Sequence, residues 1–283
     1  AIQMNGQASR LIQLRRLEER EKQFSASKIV SICSGHGGTG KTFFAANFAY
    51  QLSGLGKKVL LVDLDLNFSN LNILLNQATQ EVISEFFEQK KSLREIVSSY
   101  NKNLDLVFGD SGREDYPRVS KEVLDYLFIS LSRISDDYDF IILDSSAGAD
   151  QLTLHQLIRS DYNIIVTSPE PTAVMDAYVI IKLLNSVSYS GEKLVVVNKC
   201  SDEEDAQASF ANLSVASKHF LGEAPNFLGS ISFDQAVHKS IVHQELLAEV
   251  APQSKPAGEI SAIAKRFSTI TQMANNNHSR QII

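Results

Sequence analysis

The sequence predicts an α/β fold with a mostly parallel, doubly wound sheet and an N-terminal helical extension. Short runs rich in β-branched residues alternate with amphipathic stretches of helical period, which is typical of a parallel sheet covered by helices. Several predicted strands are apolar throughout, as strands buried on both faces are. The predicted strands span residues 28–33, 58–63, 104–108, 139–143, 163–168, 193–197 and 227–231.

Length and composition predict one large core. The chain has 283 residues, 43% of them hydrophobic, and a net charge of −6. We divide it into an extension at 1–27, one domain at 28–274 and a flexible tail at 275–283. The acidic balance argues against a protein that coats nucleic acid. Two distant cysteines, and no long apolar run or signal peptide, predict a soluble cytoplasmic protein with buried free thiols.

A glycine-rich turn follows the first predicted strand and precedes a helix-like stretch at 43–52. Residues 34–42 read Ser-Gly-His-Gly-Gly-Thr-Gly-Lys-Thr and match the pattern G-x-x-x-x-G-K-[ST]. Such a turn presents backbone N–H groups to phosphates at the positive end of a helix. We expect Lys41 to reach the outer phosphates and Thr42 to hold Mg²⁺, which predicts a P-loop NTPase sheet. The predicted nucleotide-binding residues of the loop are Gly35, Gly37, Gly38, Thr39, Gly40, Lys41, Thr42 and Phe43.

Acidic residues end two further strands, at the edge where ligands bind in such sheets. Asp63 and Asp65 end the second strand, and Asp144 opens a small-residue turn that contains Gly148. Carboxylates beside a triphosphate order the water of Mg²⁺ or orient the attacking water. Acidic residues at strand ends are also often helix caps, which is the alternative interpretation for Asp63 or Asp65 alone. The predicted Mg²⁺ residues are Thr42, Asp63, Asp65 and Asp144, and Asp144 is also the predicted γ-phosphate sensor.

Asn198 and Lys199 close the strand at 193–197, where a side-chain amide can present a donor and an acceptor to a base edge. An Asn-Lys pair is as typical of a simple turn, so both interpretations stay open.

The six histidines show no ligand spacing, so we predict no metal other than Mg²⁺. Neither Ser145 nor Ser146 has a histidine nearby in sequence, so a hydrolase triad has no support.

Two terminal segments predict helices. Residues 7–23 are rich in Arg, Glu and Gln and predict a helix that binds a partner, packs on its own core, or stays disordered. The stretch 259–273 predicts either the last helix packed on the sheet, which we favour, or an amphipathic membrane helix. Its apolar positions at helical spacing are Ile260, Ile263, Ala264, Phe267 and Ile270.

Together the loop, Asp63-x-Asp65, Asp144-Ser-Ser-Ala-Gly and Asn198 resemble the MinD/ParA family of deviant Walker A ATPases over roughly residues 28–270. Within it, the runs 167–178 and 65–71 look most like the FlhG (FleN) branch, which regulates flagellar number. The resemblance implies a homodimer that sandwiches ATP, with Asp65 positioning the hydrolytic water. It also implies that the base is bound by Asn198, Lys199, Ser232 and Phe233, with Ile231 and Asp234 beside them.

The N-terminal segment from Gly6 to Ile12 is similar to the motif Asp-Gln-Ala-x-x-Leu-Arg, with which FlhG proteins contact the SRP-type GTPase FlhF. The matching residues are Gln7, Ala8 and Leu11, while Gly6 and Ile12 depart from the motif. The resemblance also implies peripheral attachment to the inner face of the membrane through a terminal amphipathic helix, for which 259–273 is the candidate.

The loop departs from the family at His36. The family's Lys-Gly-Gly-x-Gly-Lys-Thr places a lysine there, and that lysine crosses the dimer interface to the other subunit's phosphates. Histidine is shorter and mostly neutral at pH 7. Loss of the cation should weaken dimer closure and hydrolysis. We therefore predict a weak ATPase in which Asp65, Lys41 and His36 are the catalytic residues.

Two other functions stay open. A non-catalytic adaptor would hold nucleotide for structure and act through its N-terminal helix. A ParA-type partition ATPase would bind DNA, but the acidic charge and the lack of any basic cluster longer than Arg15-Arg16 count against it. An iron–sulfur ATPase is disfavoured because the sequence contains no Cys-x-x-Cys.

Overall fold

The computed structural model describes residues 27–65, 69–78, 81–110 and 119–280, without the side chains of 275–280. The predicted partner-binding residues Gln7, Ala8 and Leu11 lie outside the described residues. At the centre is an eight-stranded sheet in the order β3-β4-β2-β5-β1-β6-β7-β8. All neighbouring strands pair in parallel except β3 and β4, which pair antiparallel. The predicted mostly parallel α/β sheet is confirmed.

The strands agree with the sequence prediction except at one edge. They are β1 (Lys28–Cys33), β2 (Val59–Leu64), β3 (Ser98–Asn101), β4 (Leu104–Val107), β5 (Phe140–Ser145), β6 (Tyr162–Thr167), β7 (Glu192–Cys200) and β8 (Asn226–Ser232). The sequence prediction lacked β3, which reads Ser98-Ser99-Tyr100-Asn101. None of its four side chains is fully buried. An edge strand in contact with solvent carries no apolar run to reveal it.

Helices cover both faces of the sheet. They are α1 (Lys41–Gly54), α2 (Leu71–Leu74), α3 (Ile83–Phe87), α4 (Lys121–Ser132), α5 (Gln151–Leu157), α6 (Pro171–Ser186), α7 (Glu203–Leu221), α8 (Gln235–His243), α9 (Leu247–Val250) and α10 (Lys255–Arg280). Two short 3-10 turns lie at Leu93–Ile96 and Ser135–Asp137. Because successive side chains of a strand point to opposite faces, Leu61 packs in the core beneath α1 and α10, while Leu60 and Val62 pack beneath α4.

Helix α10 packs on the sheet through the apolar stripe that the sequence showed. Ile260, Ile263, Ala264 and Phe267 are all buried. The ring of Phe267 lies 5.2 to 5.4 Å, centroid to centroid, from rings on α1, β5 and β6. The packing interpretation is therefore confirmed for this stripe. The helix continues to Arg280 and so includes part of the segment predicted as a tail.

Within the described part of the chain, no helix is both long and apolar enough to cross a membrane.

Both cysteines, Cys33 and Cys200, are free and buried, as the sequence predicted. Burial raises the pKa of each thiol to about 12, so neither is a reactive thiolate at neutral pH.

Candidate nucleotide-binding site

The loop and the acidic residues meet at one edge of the sheet because the strands that precede them are parallel neighbours. Strand β5 lies between β1 and β2, and Asp144 is in register with Asp63 on one side and with Ile32 on the other. The carboxyl ends of parallel strands form the usual ligand site of such sheets. The predicted phosphate and Mg²⁺ residues are thereby brought to a common place.

The glycine loop leads into α1 in a conformation that leaves the helix N-terminus open to an anion. Gly38 and Gly40 have φ values of +84° and +87°, which residues with a Cβ rarely adopt. Gly40 is the N-cap, and no side chain among the described residues caps this end of α1. The first turn also carries no acidic residue. The first N–H groups of α1 and its dipole are thus available to phosphate.

Phe43 and Gly35, two of the predicted nucleotide-binding residues, can contribute to a ligand site only through their backbone. The side chain of Phe43 is buried in the core, so its contribution to a ligand would come from its backbone. Gly35 is required by a close approach to α6. A Cβ on Gly35 would overlap the Cβ of Asp176 and lie 2.6 Å from its carbonyl carbon. The start of the loop therefore rests directly on the backbone of α6.

A buried ion pair lies beneath the loop. The Nζ of Lys41 donates to Oδ1 of Asp144 at 2.7 Å, and both side chains are at least 94% buried. Burial lowers the pKa of Lys41, but the Asp144 carboxylate, with help from Asp65 and Asp63, outweighs it and raises that pKa. The lysine is therefore charged and held by its own subunit. A triphosphate would compete with Asp144 for it.

The other oxygen of Asp144, Oδ2, is buried and has no hydrogen-bond partner among the described atoms. A buried carboxylate oxygen without a partner is uncommon and needs an explanation. Mg²⁺ and its water supply one, since hard cations prefer carboxylate oxygens. No group of three or more His, Cys, Asp and Glu that could hold a metal occurs in the described ranges. The residues present therefore fit a Mg²⁺ ion that is bound together with phosphate oxygens.

Asp63 organises the turn that follows β2. Its Oδ2 accepts hydrogen bonds from Ser69 Oγ at 2.6 Å and Leu71 N at 3.2 Å, and its Oδ1 accepts one from Asp65 N at 3.0 Å. Burial, and then the nearby Asp144 carboxylate, raise the pKa of Asp63 to about 7. Asp63 thus holds the backbone of Asp65 in place, a role that the Mg²⁺ prediction did not include.

His36 contacts a distant residue of the same chain. Its Nδ1 lies 3.0 Å from Oδ2 of Asp176 on α6, and both side chains are more than a third exposed. The backbone of His36 is also fixed, because Ser34 Oγ donates to its carbonyl oxygen at 2.9 Å. No sequence pattern indicated the Asp176 contact, because the two residues are 140 positions apart.

The predicted base-binding residues lie at the ends of β7 and β8. Asn198 Nδ2 donates to Thr39 O at 2.7 Å, and Lys199 Nζ donates to Gly38 O at 2.6 Å, so both side chains contact the phosphate loop. Ser232 donates from both N and Oγ to the Glu259 carboxylate of α10, each at 2.7 Å. The ring of Phe233 is 73% exposed and available to a ligand.

A parallel sheet with a glycine loop before its first helix, and aspartates at the neighbouring strand ends, is typical of P-loop nucleotide-binding proteins. The model of the AAA domain family matches residues 27–196, which is more than half of the chain. The chain belongs to this family and, within it, to the MinD/ParA group, as the sequence resemblance predicted.

Two relatives place it more closely. The antiactivator FleN of Pseudomonas aeruginosa is 28% identical over 248 residues, covering 88% of this chain and 89% of FleN. The flagellum site-determining protein YlxH of Helicobacter pylori is 31% identical over 266 residues, covering 92% of this chain and 90% of YlxH.

Solved structures show the same fold. The cell division ATPase MinD of Pyrococcus furiosus has a TM-score of 0.72 at 22% identity, with 86% of this chain and 99% of that chain covered. The septum site-determining protein MinD of Pyrococcus horikoshii, in complex with Mg-ADP, also has a TM-score of 0.72 at 22% identity. That comparison covers 87% of this chain and 98% of the other.

Proposed function

We propose that this chain is an ATP-binding switch that controls flagellar number or placement through ATP-dependent dimerisation. The observation that carries the proposal is the Lys41–Asp144 pair, buried beneath a glycine loop at an uncapped helix end. The names of the two relatives, an antiactivator and a flagellum site-determining protein, support the cellular role. The Mg-ADP complex of a MinD of the same fold supports the choice of ligand.

The site would act by exchanging partners at Lys41. Before nucleotide binds, Asp144 holds Lys41 Nζ at 2.7 Å. An arriving triphosphate, more highly charged, draws the lysine away and releases the Asp144 carboxylate. Thr42 and the strand-end aspartates would hold Mg²⁺, which neutralises phosphate charge when bound. Asp144 lies one residue before the end of β5, close to the segment that contains Gly148, so the exchange would alter that segment beside the loop.

Asp65 would position the water that attacks the last phosphoryl group. Its own backbone is held by the hydrogen bond from Asp65 N to Asp63 Oδ1, while Ser69 Oγ and Leu71 N donate to Asp63 Oδ2 and hold that carboxylate in place. A fixed carboxylate orients water without reorganising during the reaction. Besides its place among the Mg²⁺ residues, Asp63 therefore supports Asp65, and Asp65 is the carboxylate that orients the attacking water.

His36 limits turnover in this proposal. The family's lysine at this place carries its charge on a long, flexible side chain, whereas the side chain of histidine is shorter. Here its ring contacts Asp176 of the same subunit, which opposes a contact with phosphates across a dimer. We therefore propose slow hydrolysis and weak dimer closure, with intact nucleotide binding.

The deciding experiment compares the wild type with His36→Lys. Phosphate release and molecular mass are measured in ATP and in ADP, each with Mg²⁺. We expect the wild type to bind ATP with slow turnover, and the lysine variant to hydrolyse faster and to double its mass more completely in ATP. Equal rates and equal masses in both proteins would show that His36 does not limit the switch.

Contact with the SRP-type GTPase FlhF through Gln7, Ala8 and Leu11 stays part of the proposal on the sequence motif alone. Peripheral attachment to the inner face of the cell membrane also stays a prediction. The apolar stripe of α10 is used by the core, so attachment would need another surface or the release of that helix.

A second function, the non-catalytic adaptor, is favoured by the His36–Asp176 contact, because that contact occupies the residue which the family uses in hydrolysis. The adaptor predicts no phosphate release from the wild type, even with partner and lipid present. Measurable release that depends on Asp65 would exclude it.

A further inference from the structure

We propose that Asn198 and Lys199 form a clamp that holds the phosphate loop in its binding conformation. This inference rests on the proposed ATP binding and deepens it, because it makes these two side chains positioning residues for the phosphates. The sequence had pointed to base recognition or to a simple turn. The clamp consists of two hydrogen bonds to the neighbouring carbonyl oxygens of Gly38 and Thr39.

The Asn198 amide is fixed at both ends. Its Nδ2 donates to Thr39 O at 2.7 Å, and its Oδ1 accepts from Lys199 N at 2.9 Å. The side chain is 95% buried, so water competes little for these bonds. An amide has a second N–H and further lone pairs, so Asn198 keeps the capacity to read a base edge while it holds the loop.

Lys199 has an unusual backbone that aims it at the loop. Its φ is +61°, which is uncommon for a residue other than glycine. The register between β7 and β8 shifts between Asn198 and Cys200, so Lys199 leaves the regular ladder at this point. Its Nζ then donates to Gly38 O at 2.6 Å. Irregular backbone of this kind is typical of functional sites.

The two bonds orient the N–H groups that phosphate needs. In a trans peptide the C=O and N–H point in opposite directions. When the carbonyls of Gly38 and Thr39 are held toward β7, the N–H groups of Thr39 and Gly40 point to the opposite side, where phosphate binds. A Cβ on Gly40 would overlap Nδ2 of Asn198, so glycine is required here for the clamp as well as for its φ of +87°.

Tripolyphosphate has no base, so its binding tests the clamp independently of base recognition. Calorimetric titrations of ATP and of inorganic tripolyphosphate, both with Mg²⁺, are made with wild type, Asn198→Ala, Lys199→Met and Lys199→Arg. Loss of one hydrogen bond that holds the loop should weaken binding about tenfold. We expect a similar loss for both ligands in Asn198→Ala and in Lys199→Met, with Lys199→Arg close to wild type.

Three different results would contradict the clamp or the proposed function. Asn198→Ala that loses ATP affinity but keeps tripolyphosphate affinity would show that Asn198 only reads the base. Wild type that binds ATP but no tripolyphosphate would also overturn the clamp, because the loop would then not be preformed for phosphate. Wild type that binds neither ligand would contradict the proposed function itself.

Charge and folding need their own controls. Lys218→Met removes an exposed lysine of α7 and should leave both affinities unchanged. A loss there equal to that of Lys199→Met would show a general charge effect and overturn the role of Lys199. Melting temperatures are compared for every variant. If Asn198→Ala does not fold, the test rests on Lys199→Met and Lys199→Arg, because Lys199 is exposed.

Discussion

At the scale of single residues, the site is governed by charges that burial has placed close together. Lys41 balances Asp144 directly, whereas Asp63 is buried beside Asp144 with no cation of its own within hydrogen-bonding distance in the described part of the chain. Its pKa is raised to about 7 for that reason. Near neutral pH the ionised Asp63 therefore carries a cost that a bound cation such as Mg²⁺ would relieve.

The raised pKa of Asp63 predicts a pH dependence of stability. Between the ordinary value of 3.8 and about 7 the folded state binds more protons than the unfolded state, so the stabilising contribution is complete below pH 4 and is lost as the pH rises through 7. Asp63→Asn lacks this titration. We expect the melting temperature of wild type, without Mg²⁺ or nucleotide, to fall relative to Asp63→Asn from pH 5 to pH 8. Each pH unit contributes at most about 1.4 kcal/mol. A constant difference between the two would contradict the raised pKa.

The contact of Gly35 with α6 predicts a steric effect on binding. Gly35→Ala would drive a methyl group into Asp176, so the loop must shift. We expect at least a tenfold loss of ATP affinity by calorimetry, since 1.4 kcal/mol suffices for that change and forced overlap costs typically about 1–3 kcal/mol. Gly258→Ala is the matched control, because nothing lies within 4 Å of its added Cβ, and it should bind ATP normally. Normal binding by Gly35→Ala would refute the packing.

At the scale of elements, most of the fold could be predicted because the buried parallel strands consist largely of apolar residues. Strand β2 is buried at all six positions and reads Val-Leu-Leu-Val-Asp-Leu. The edge strand β3 was missed because it is polar and has no such run. The clustering of Lys41, Thr42 and the strand-end aspartates at one end of the sheet was predictable, because these residues follow local motifs. The contact of His36 with Asp176 was not, because no local pattern joins residues 140 positions apart.

The packing of helix α10 predicts that loss of the Phe267 ring greatly lowers the stability of the fold. Phe267 is fully buried among three aromatic rings, so Phe267→Ala should destabilise by about 3–5 kcal/mol. At roughly 2–4 °C per kcal/mol, the melting temperature should fall by roughly 10 °C. Met273→Ala, on the same helix at a side chain 62% exposed, should change it by little. Similar melting temperatures for both variants would mean that α10 does not pack as described.

At the scale of the whole molecule, the proposal requires that nucleotide binding, dimerisation and partner contact be separable. The proposed ATP site lies within residues 27–280, which the structure describes in large part, and the proposed partner motif lies before it. A ligand can shift an association equilibrium only through its differential affinity for the two states. ATP should therefore favour the dimer and ADP should not.

The partner motif predicts a separable loss. Replacing Gln7 and Leu11 together by Ala should abolish stimulation of ATP hydrolysis by the GTPase partner while leaving the affinity for ATP unchanged. Hydrolysis with and without partner, and calorimetry, provide the two readouts. If ATP binding is lost as well, the segment belongs to the folded domain and the partner assignment fails.

The most direct measurement is a calorimetric titration of ATP with Mg²⁺ into the wild type and into Lys41→Ala. The account predicts saturable binding of one ATP per chain to the wild type and a loss of at least tenfold in Lys41→Ala, because a charge-assisted contact to phosphate is removed. No heat of association with the wild type at millimolar ATP, or equal affinity in both proteins, would contradict it.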